Sequence, residues 1–238
     1  MESTRLSDQQ IRNIKNVDYF NDTFYADLDF GLTSDFFAKR YVTELASYFD
    51  ITKMTVVDCS AGFGWFGAAY LLAGGAGVIS ADIDESRLQA AEKIMGILGI
   101  ADKTRFIASP IEKLPLHERE ADIFVSIETL EHIGKNNISP AINKMVTVAA
   151  KGILLSTPNR IFPLIAHDTQ LPFIHWLPPA YRRGYAALFN RKDMDHGNDF
   201  VSPMQLRQLR KNFRPVTTCY VYPEYQAFLK SYPRIPVL

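Results

Sequence analysis

The sequence predicts an α/β fold in which a mostly parallel β-sheet carries helices on both faces. From Met54 onward, short β-type runs alternate with helical patterns, which is the order that builds parallel sheets. Runs such as "IFVSI" (123–127) and "GILLS" (152–156) lack polar alternation, as strands buried on both faces do. A chain of 238 residues with 47% hydrophobic residues can also bury one substantial core.

The five strands of this sheet are predicted at 54–58, 77–82, 104–108, 121–127 and 152–157. The helix after the first strand spans 64–73 and is closed by two glycines at 74 and 75. Asp84 or Ser86 caps the second helix, which ends at Gly99. Ser139-Pro140 opens a third helix, because proline is tolerated where a helix begins.

Two segments lie outside this alternation, and regular structure is predicted again after the second. Residues 1–50 are rich in Tyr and Phe and predict an N-terminal helical cap, which leaves 51–238 as the main domain. Residues 158–201 contain five prolines and little periodicity, so we expect an insert that acts as a lid or binds substrate. Beyond it, Ser202, Pro203 and Gln205 predict a capped helix over 202–213, and 216–222 predicts a further strand.

The composition excludes several classes of protein. Lys plus Arg and Asp plus Glu both number 26, so no global field favours nucleic acid. The two cysteines form no disulfide framework or metal-site spacing, which fits a reducing compartment. The polar N-terminus lacks the apolar core of a signal peptide, and no apolar run reaches the ~20 residues of a membrane span. We therefore expect a cytoplasmic protein.

The stretch "VVDCSAGFGWFG" (56–67) indicates where a ligand binds. Gly62, Gly64 and Gly67 have the spacing of a dinucleotide-binding loop, and Asp82 follows Gly62 by twenty residues. However, Asp58 ends the first strand at the edge where such sheets bind ligands, and its carboxylate would repel a pyrophosphate. S-adenosylmethionine carries an ammonium and a sulfonium group and no phosphate, so it suits this edge better.

At these residues the sequence resembles the class I S-adenosylmethionine-dependent methyltransferases. "VVDCSAGFG" matches their first motif with Ser60 in place of a glycine, and Asp82 in "ISADID" matches the acid that binds the ribose hydroxyls. "ADIFVSIETLEHI" and "GILLSTPNR" resemble the motifs at strands four and five, so the resemblance covers about residues 50–160. It implies a Rossmann-like sheet in the order 3-2-1-4-5-7-6, with its last strand antiparallel.

The resemblance also implies the cofactor contacts. Pro110 stands where many relatives have an acid that contacts adenine, so the adenine is expected on the backbone near Ile111, with Glu112. The full predicted set of S-adenosylmethionine-binding residues is Asp58, Ser60, Gly62, Gly64, Asp82, Ile83, Ile111, Glu112 and Ile127.

Methyl transfer to a hydroxyl needs a base, and neutral imidazole, with a reference pKa of ~6.5, suits this role. His132 follows strand four and is the predicted base, with positioning of the backbone as its alternative role. Glu128 is expected to hold the methionine ammonium or the acceptor, whereas Glu131 is expected to be a solvated helix acid. His167 is the third catalytic candidate.

No metal site is predicted. A divalent ion held by His167 and Asp168 with His132 or Glu128 is the alternative to hydrogen bonds that stabilise the loop. His117 is expected in a surface turn and His196 in a solvated loop. Aromatic residues of the cap are expected either to close over the sulfonium or to pack in the hydrophobic core, and Trp65 after the glycine loop is expected to pack likewise. The cap residues are Tyr19, Phe20, Phe24 and Tyr25.

The insert is basic and aromatic. Its basic residues are Arg160, Arg182, Arg183, Arg191 and Lys192, and its aromatic residues include Phe162, Phe173, Trp176, Tyr181 and Tyr185. This composition suits an anionic or amphiphilic small-molecule acceptor or a peripheral membrane contact, with a solvated rim as the alternative. The run "TPNR…H…LPF.HWLP" is similar to bacterial O-methyltransferases of cell-envelope and secondary-metabolite pathways and to the ubiquinone type.

The sequence therefore predicts O-methylation of a sugar, glycolipid or other small hydroxylated metabolite. N-methylation of a small amine, which needs no strong base, and a catalytically silent partner subunit are the alternatives. An NAD oxidoreductase is disfavoured by Asp58, and a nucleic-acid methyltransferase by the zero net charge and the lack of an "NPPY"-like tetrad.

Overall fold

The structure is a computed structural model that describes residues 6–21, 29–158, 160, 171–192 and 198–216. The chain forms two compact units, one of residues 1–126 and 144–154 and the other of residues 127–143 and 155–238. The predicted division at residue 50 stays a prediction.

A five-stranded parallel sheet forms the centre of the first unit. Its strands are β1 (Thr55–Cys59), β2 (Gly77–Asp82), β3 (Thr104–Ala108), β4 (Ala121–Ile127) and β5 (Ala149–Ser156), in the order β3-β2-β1-β4-β5. The register pairs Thr55 with Gly77 and Val56 with Ile123. The predicted fold class and strand order are thereby confirmed through strand five. The strand predicted at 216–222 lies almost wholly outside the described residues.

The described helices are α1 (Asp8–Lys15), α2 (Phe30–Phe37), α3 (Thr43–Tyr48), α4 (Trp65–Leu72), α5 (Glu85–Leu98), α6 (Lys135–Val148), α7 (Pro179–Leu188) and α8 (Arg207–Asn212). Asp84 caps α5 by accepting the Arg87 N–H, and Gly99 ends it in the left-handed conformation, as predicted. None of these helices is long and apolar enough to cross a membrane.

Two predicted helix starts are wrong. Helix α6 begins at Lys135, where the Asp199 carboxylate accepts the first backbone N–H, so Pro140 lies inside the helix. The bond that Pro140 cannot donate would go to the exposed turn at Asn136, where water can replace it. Helix α8 begins at Arg207, although Ser202 still donates its N–H to the Gln205 side chain in the preceding turn.

Aromatic side chains of the N-terminal segment pack on the glycine loop. Phe20 meets Phe63 edge to face at 5.0 Å between ring centroids, and Phe30 stacks on Trp65 at 4.7 Å. Phe20, Phe30 and Phe63 are fully buried together with Met95 of α5. These contacts confirm Trp65 and Phe20 as packing residues, while Phe24 and Tyr25 lie outside the described residues.

Candidate active site

The glycine loop between β1 and α4 is held in a left-handed conformation. Ser60, Gly62 and Gly64 have φ values of 62°, 54° and 80°, a region that favours glycine, and Ser60 adopts it without being one. The Ala61 N–H donates to the carbonyl of Ala81 at 3.0 Å, so the loop is attached to the end of β2. The φ of Gly64 is the reason why the loop favours glycine there, because the Cβ of another residue would clash only with Met95 Cε at 2.7 Å, the end of a flexible side chain.

Asp82 ends β2 with both carboxylate oxygens oriented by the backbone. Oδ2 accepts the Gly62 N–H at 2.8 Å, and Oδ1 accepts the Asp84 N–H at 3.0 Å. A carboxylate offers about four lone-pair positions, so each oxygen can accept one further hydrogen bond. This fixed carboxylate fits a ligand with two neighbouring hydroxyl groups, as a ribose has. Ile83 beside it is 76% exposed and offers apolar surface next to that carboxylate.

Asp58 is buried at the end of β1. Its Oδ2 accepts the Gly67 N–H in the first turn of α4 at 3.2 Å. Burial, and to a smaller degree the neighbouring Asp82 charge, raise the pKa of Asp58 to about 7, whereas the Gly67 hydrogen bond lowers it. A positive charge on a ligand near this carboxylate would favour its ionised form. Asp58 therefore both holds the loop and gives this edge a preference for cations.

The predicted adenine segment follows β3. Ile111, in the short helix Ile111–Lys113, is buried, and Glu112 is half-buried. The Ser109 N–H donates to the Asp82 carbonyl at 2.9 Å, which attaches this segment to the end of β2. The structure thus brings the ends of β1, β2 and β3 and the glycine loop together, as parallel strands require. These residues fit S-adenosylmethionine, because they combine a diol acceptor, apolar surface and buried negative charge.

The residues that follow β4 form a cluster of acids and hydroxyls in the second unit. Ile127 is half-buried. Glu128, the next residue, has a φ of 50°, a backbone conformation that is uncommon for residues other than glycine. The Glu128 N–H donates to the Ser156 carbonyl at 2.9 Å, and Ser156 Oγ donates to Glu128 Oε1 at 2.5 Å. The strained backbone at Glu128 is therefore held by two hydrogen bonds to one residue.

The prediction that Glu131 is a solvated helix acid is wrong. Glu131 lies in a turn before α6, its side chain is fully buried, and Thr157 Oγ1 donates to its Oε2 at 3.0 Å. Burial, together with the nearby Glu128 carboxylate, raises the pKa of Glu131 well above its usual range. Glu131 was missed because "ETLEHI" looks like a helix start, whereas α6 begins only at Lys135.

His132 lies beside this buried acid. Its Nε2 atom is 3.9 Å from Glu131 Oε1, and its side chain is 45% exposed. The imidazole of His132 is therefore accessible and lies near a buried carboxyl group, which suits a proton acceptor.

The other candidates divide as follows. His117 is exposed in a loop, as expected. His167, Asp168 and His196 lie outside the described residues. Among the described side chains, no group of three or more His, Cys, Asp or Glu is arranged to hold a metal ion.

Arg182 does not belong to a surface lid, because it is buried and its guanidinium donates to three backbone carbonyls, those of His175, Leu177 and Asn198.

Comparisons with known proteins place the sheet in a family. Residues 56–152, about two-fifths of the chain, match the family model described as "Methyltransferase domain". No curated protein sequence matches the chain. Similar solved structures include a protein designated an O-methyltransferase from Nostoc punctiforme (TM-score 0.55, 18% identity, 82% of this chain and 54% of that chain).

Two further structures align over most of the chain. One is the MccD protein (TM-score 0.52, 15% identity, 84% of this chain and 80% of that chain). The other is geranyl diphosphate methyltransferase in complex with GPP and sinefungin (TM-score 0.52, 13% identity, 79% of this chain). The chain spans only 61% of the latter protein and 54% of the Nostoc protein. At such identities the likeness shows the shared fold, and the family model adds the assignment. The chain therefore carries a class I S-adenosylmethionine-dependent methyltransferase domain, and S-adenosylmethionine is the cofactor of this domain.

Proposed function

We propose that this chain transfers a methyl group to a hydroxyl of a small metabolite, sugar or glycolipid, with His132 as the base. When bound, S-adenosylmethionine supplies a methyl group that the hydroxyl oxygen attacks in line while the carbon–sulfur bond breaks. The chain has to orient the two reactants and remove the hydroxyl proton. Asp82 would hold the ribose hydroxyls, and Asp58 at the end of β1 would provide negative charge that favours the ammonium and sulfonium groups.

The observation that carries this proposal is the accessible imidazole beside a buried acid, directly after β4. His132 Nε2 receives the proton of the acceptor hydroxyl, while Glu131, 3.9 Å away, stays neutral. Glu128 is exposed next to them and offers a carboxylate that can orient the acceptor. An amine acceptor would need no such base, which is why the geometry favours oxygen over nitrogen.

The test uses a labelled methyl donor with matched panels of hydroxylated and amine acceptors. We expect labelled ethers, and we expect His132→Ala to lower kcat by roughly 10²-fold or more while the Kd for S-adenosylmethionine stays within a factor of about three. His117→Ala, which removes an exposed histidine of the first unit, serves as the matched control. Labelled amines with an active His132→Ala variant would assign N-methylation. Cofactor binding without any labelled product would support a silent partner subunit.

A further inference from the structure

The second unit exposes an unusual set of large apolar side chains around α7. Five of them are between 46% and 81% exposed, namely Phe173, Trp176, Tyr181, Leu188 and Phe189. Exposed apolar side chains that occur singly are ordinary, whereas contiguous ones mark a binding surface. The question is therefore whether these five form one surface.

Contacts within the unit connect them. Phe173 and Trp176 pack at 5.1 Å between ring centroids, and Tyr185 packs against Phe189 at 5.3 Å. The Tyr185 hydroxyl donates to the carbonyl of Pro172, the neighbour of Phe173, and so joins the two pairs. The two aromatic pairs therefore adjoin each other.

Tyr181 and Leu188 extend this surface along the helix. They lie seven residues apart on α7, so they share one helix face, and Tyr185 lies next to it. The opposite side of the helix carries the buried residues Arg182 and Ala186. Helix α7 therefore buries one side, which carries Arg182 and Ala186, and leaves Tyr181 and Leu188 facing solvent on another.

Positive charge surrounds this surface. Residues 171–192 contain no Asp or Glu, while Arg183 and Lys192 are exposed and Arg191 is half-buried. Trp176 Nε1 donates to the carbonyl of Arg160, whose side chain is also exposed. Among the described residues, Arg160, Arg183 and Lys192 form no ion pair. In the described part of the chain, the surface thus combines aromatic and aliphatic side chains with cations that form no ion pair.

We propose that the α7 surface, formed by Phe173, Trp176, Tyr181, Leu188 and Phe189 with Arg160, Arg183 and Lys192, docks the protein on an anionic lipid bilayer. Leucine and tryptophan insert at the boundary between headgroups and acyl chains, and lysine and arginine attract anionic headgroups. A second copy of the chain fits poorly, because a symmetric contact would bring like charges together. Nucleic acid fits poorly as well, since Leu188 offers no stacking surface and the net charge is zero. This surface would bring a lipid-linked acceptor to the enzyme, but docking itself does not depend on the acceptor.

The experiment measures co-sedimentation of the full chain with phosphatidylglycerol–phosphatidylcholine vesicles and with pure phosphatidylcholine vesicles, without cofactor or acceptor. We expect binding to the anionic vesicles that weakens as salt is raised, and weak binding to the neutral ones. Arg183→Gln with Lys192→Gln should weaken binding about 25-fold, because each cation contributes about fivefold near an anionic surface. Tyr181→Ser with Leu188→Ser should reduce binding at least tenfold.

Matched controls lie in the first unit. Leu32→Ser removes a leucine that is 58% exposed on α2, and Lys103→Gln removes an exposed lysine, and both variants should bind like the unmodified chain. All variants are surface changes and should keep the thermal midpoint, which circular dichroism verifies. Equal binding by the α7 variants and the controls would overturn the proposal, as would the absence of binding to anionic vesicles at low salt. A dimer that Leu188→Ser dissociates, or capture of an oligonucleotide instead of vesicles, would assign the surface to another partner and refute it as well. Because no methyl transfer is measured, failure here leaves the proposed reaction untouched.

Discussion

Replacement of Asp82 tests the cofactor assignment most directly. The carboxylate is oriented by the N–H groups of Gly62 (2.8 Å) and Asp84 (3.0 Å), and we propose that each oxygen accepts one ribose hydroxyl. Asp82→Asn keeps the shape but turns one acceptor into a donor, so it removes one charge-assisted hydrogen bond to the ligand. Such a bond contributes about 1.5–3 kcal/mol, which corresponds to a Kd increase of roughly 10- to 150-fold. Asp82→Ala removes both bonds and should weaken binding further.

Isothermal titration calorimetry with S-adenosylmethionine measures these constants. Asp102→Asn, at an exposed aspartate in the short helix Ala101–Lys103, is the matched control and should leave the Kd unchanged. In Asp82→Asn, the side-chain NH2 group can also face a backbone N–H that the carboxylate used to accept, and two donors repel each other. The folding of this variant therefore has to be checked by chemical denaturation at the titration temperature. A folded Asp82→Asn protein with the original Kd would refute the proposed diol contact.

Three further outcomes follow from the same geometry. Gly64→Ala should lower the free energy of unfolding by about 1–2 kcal/mol in urea titrations, because a left-handed alanine costs that much, whereas Met95 Cε, 2.7 Å from the new Cβ, is the end of a flexible side chain that can shift. Gly99→Ala, also left-handed and with open space around it, should lose about as much, and a much larger loss at Gly64 would contradict the shift of Met95. Since cation binding favours ionised Asp58, whose pKa is raised to about 7, calorimetry should show affinity for S-adenosylmethionine falling roughly tenfold per pH unit below 7. Asp58→Asn should abolish that slope, and a slope that persists would place the proton elsewhere. Because the pKa of Glu131 is raised on folding, its contribution to stability is complete below its unfolded pKa and is lost as pH rises toward the folded one. Glu131→Gln should therefore flatten the decline of the thermal midpoint between the usual pKa of a glutamate and about pH 9, and parallel midpoint curves for both proteins would contradict the buried neutral acid.

The sequence alone determined the sheet and its cofactor edge. Strand positions follow from runs of buried residues, and the glycine loop follows from positions that need a left-handed backbone, both of which are local properties. Strands β2, β3 and β4 therefore have the predicted bounds. The acid at the end of β2 could be named as well, because its distance from the glycine loop is fixed by one strand–helix–strand unit.

Only the tertiary structure decided the state of Glu131, the start of α6 and the character of α7. The buried Glu131 carboxyl accepts a hydrogen bond from Thr157, 26 residues away, and the first N–H of α6 at Lys135 donates to Asp199, 64 residues away. Arg182 and Arg183 are adjacent in sequence, yet one is buried among backbone carbonyls and the other faces solvent. A pattern of residue types records local preference, whereas desolvation and charge depend on which distant groups a side chain meets.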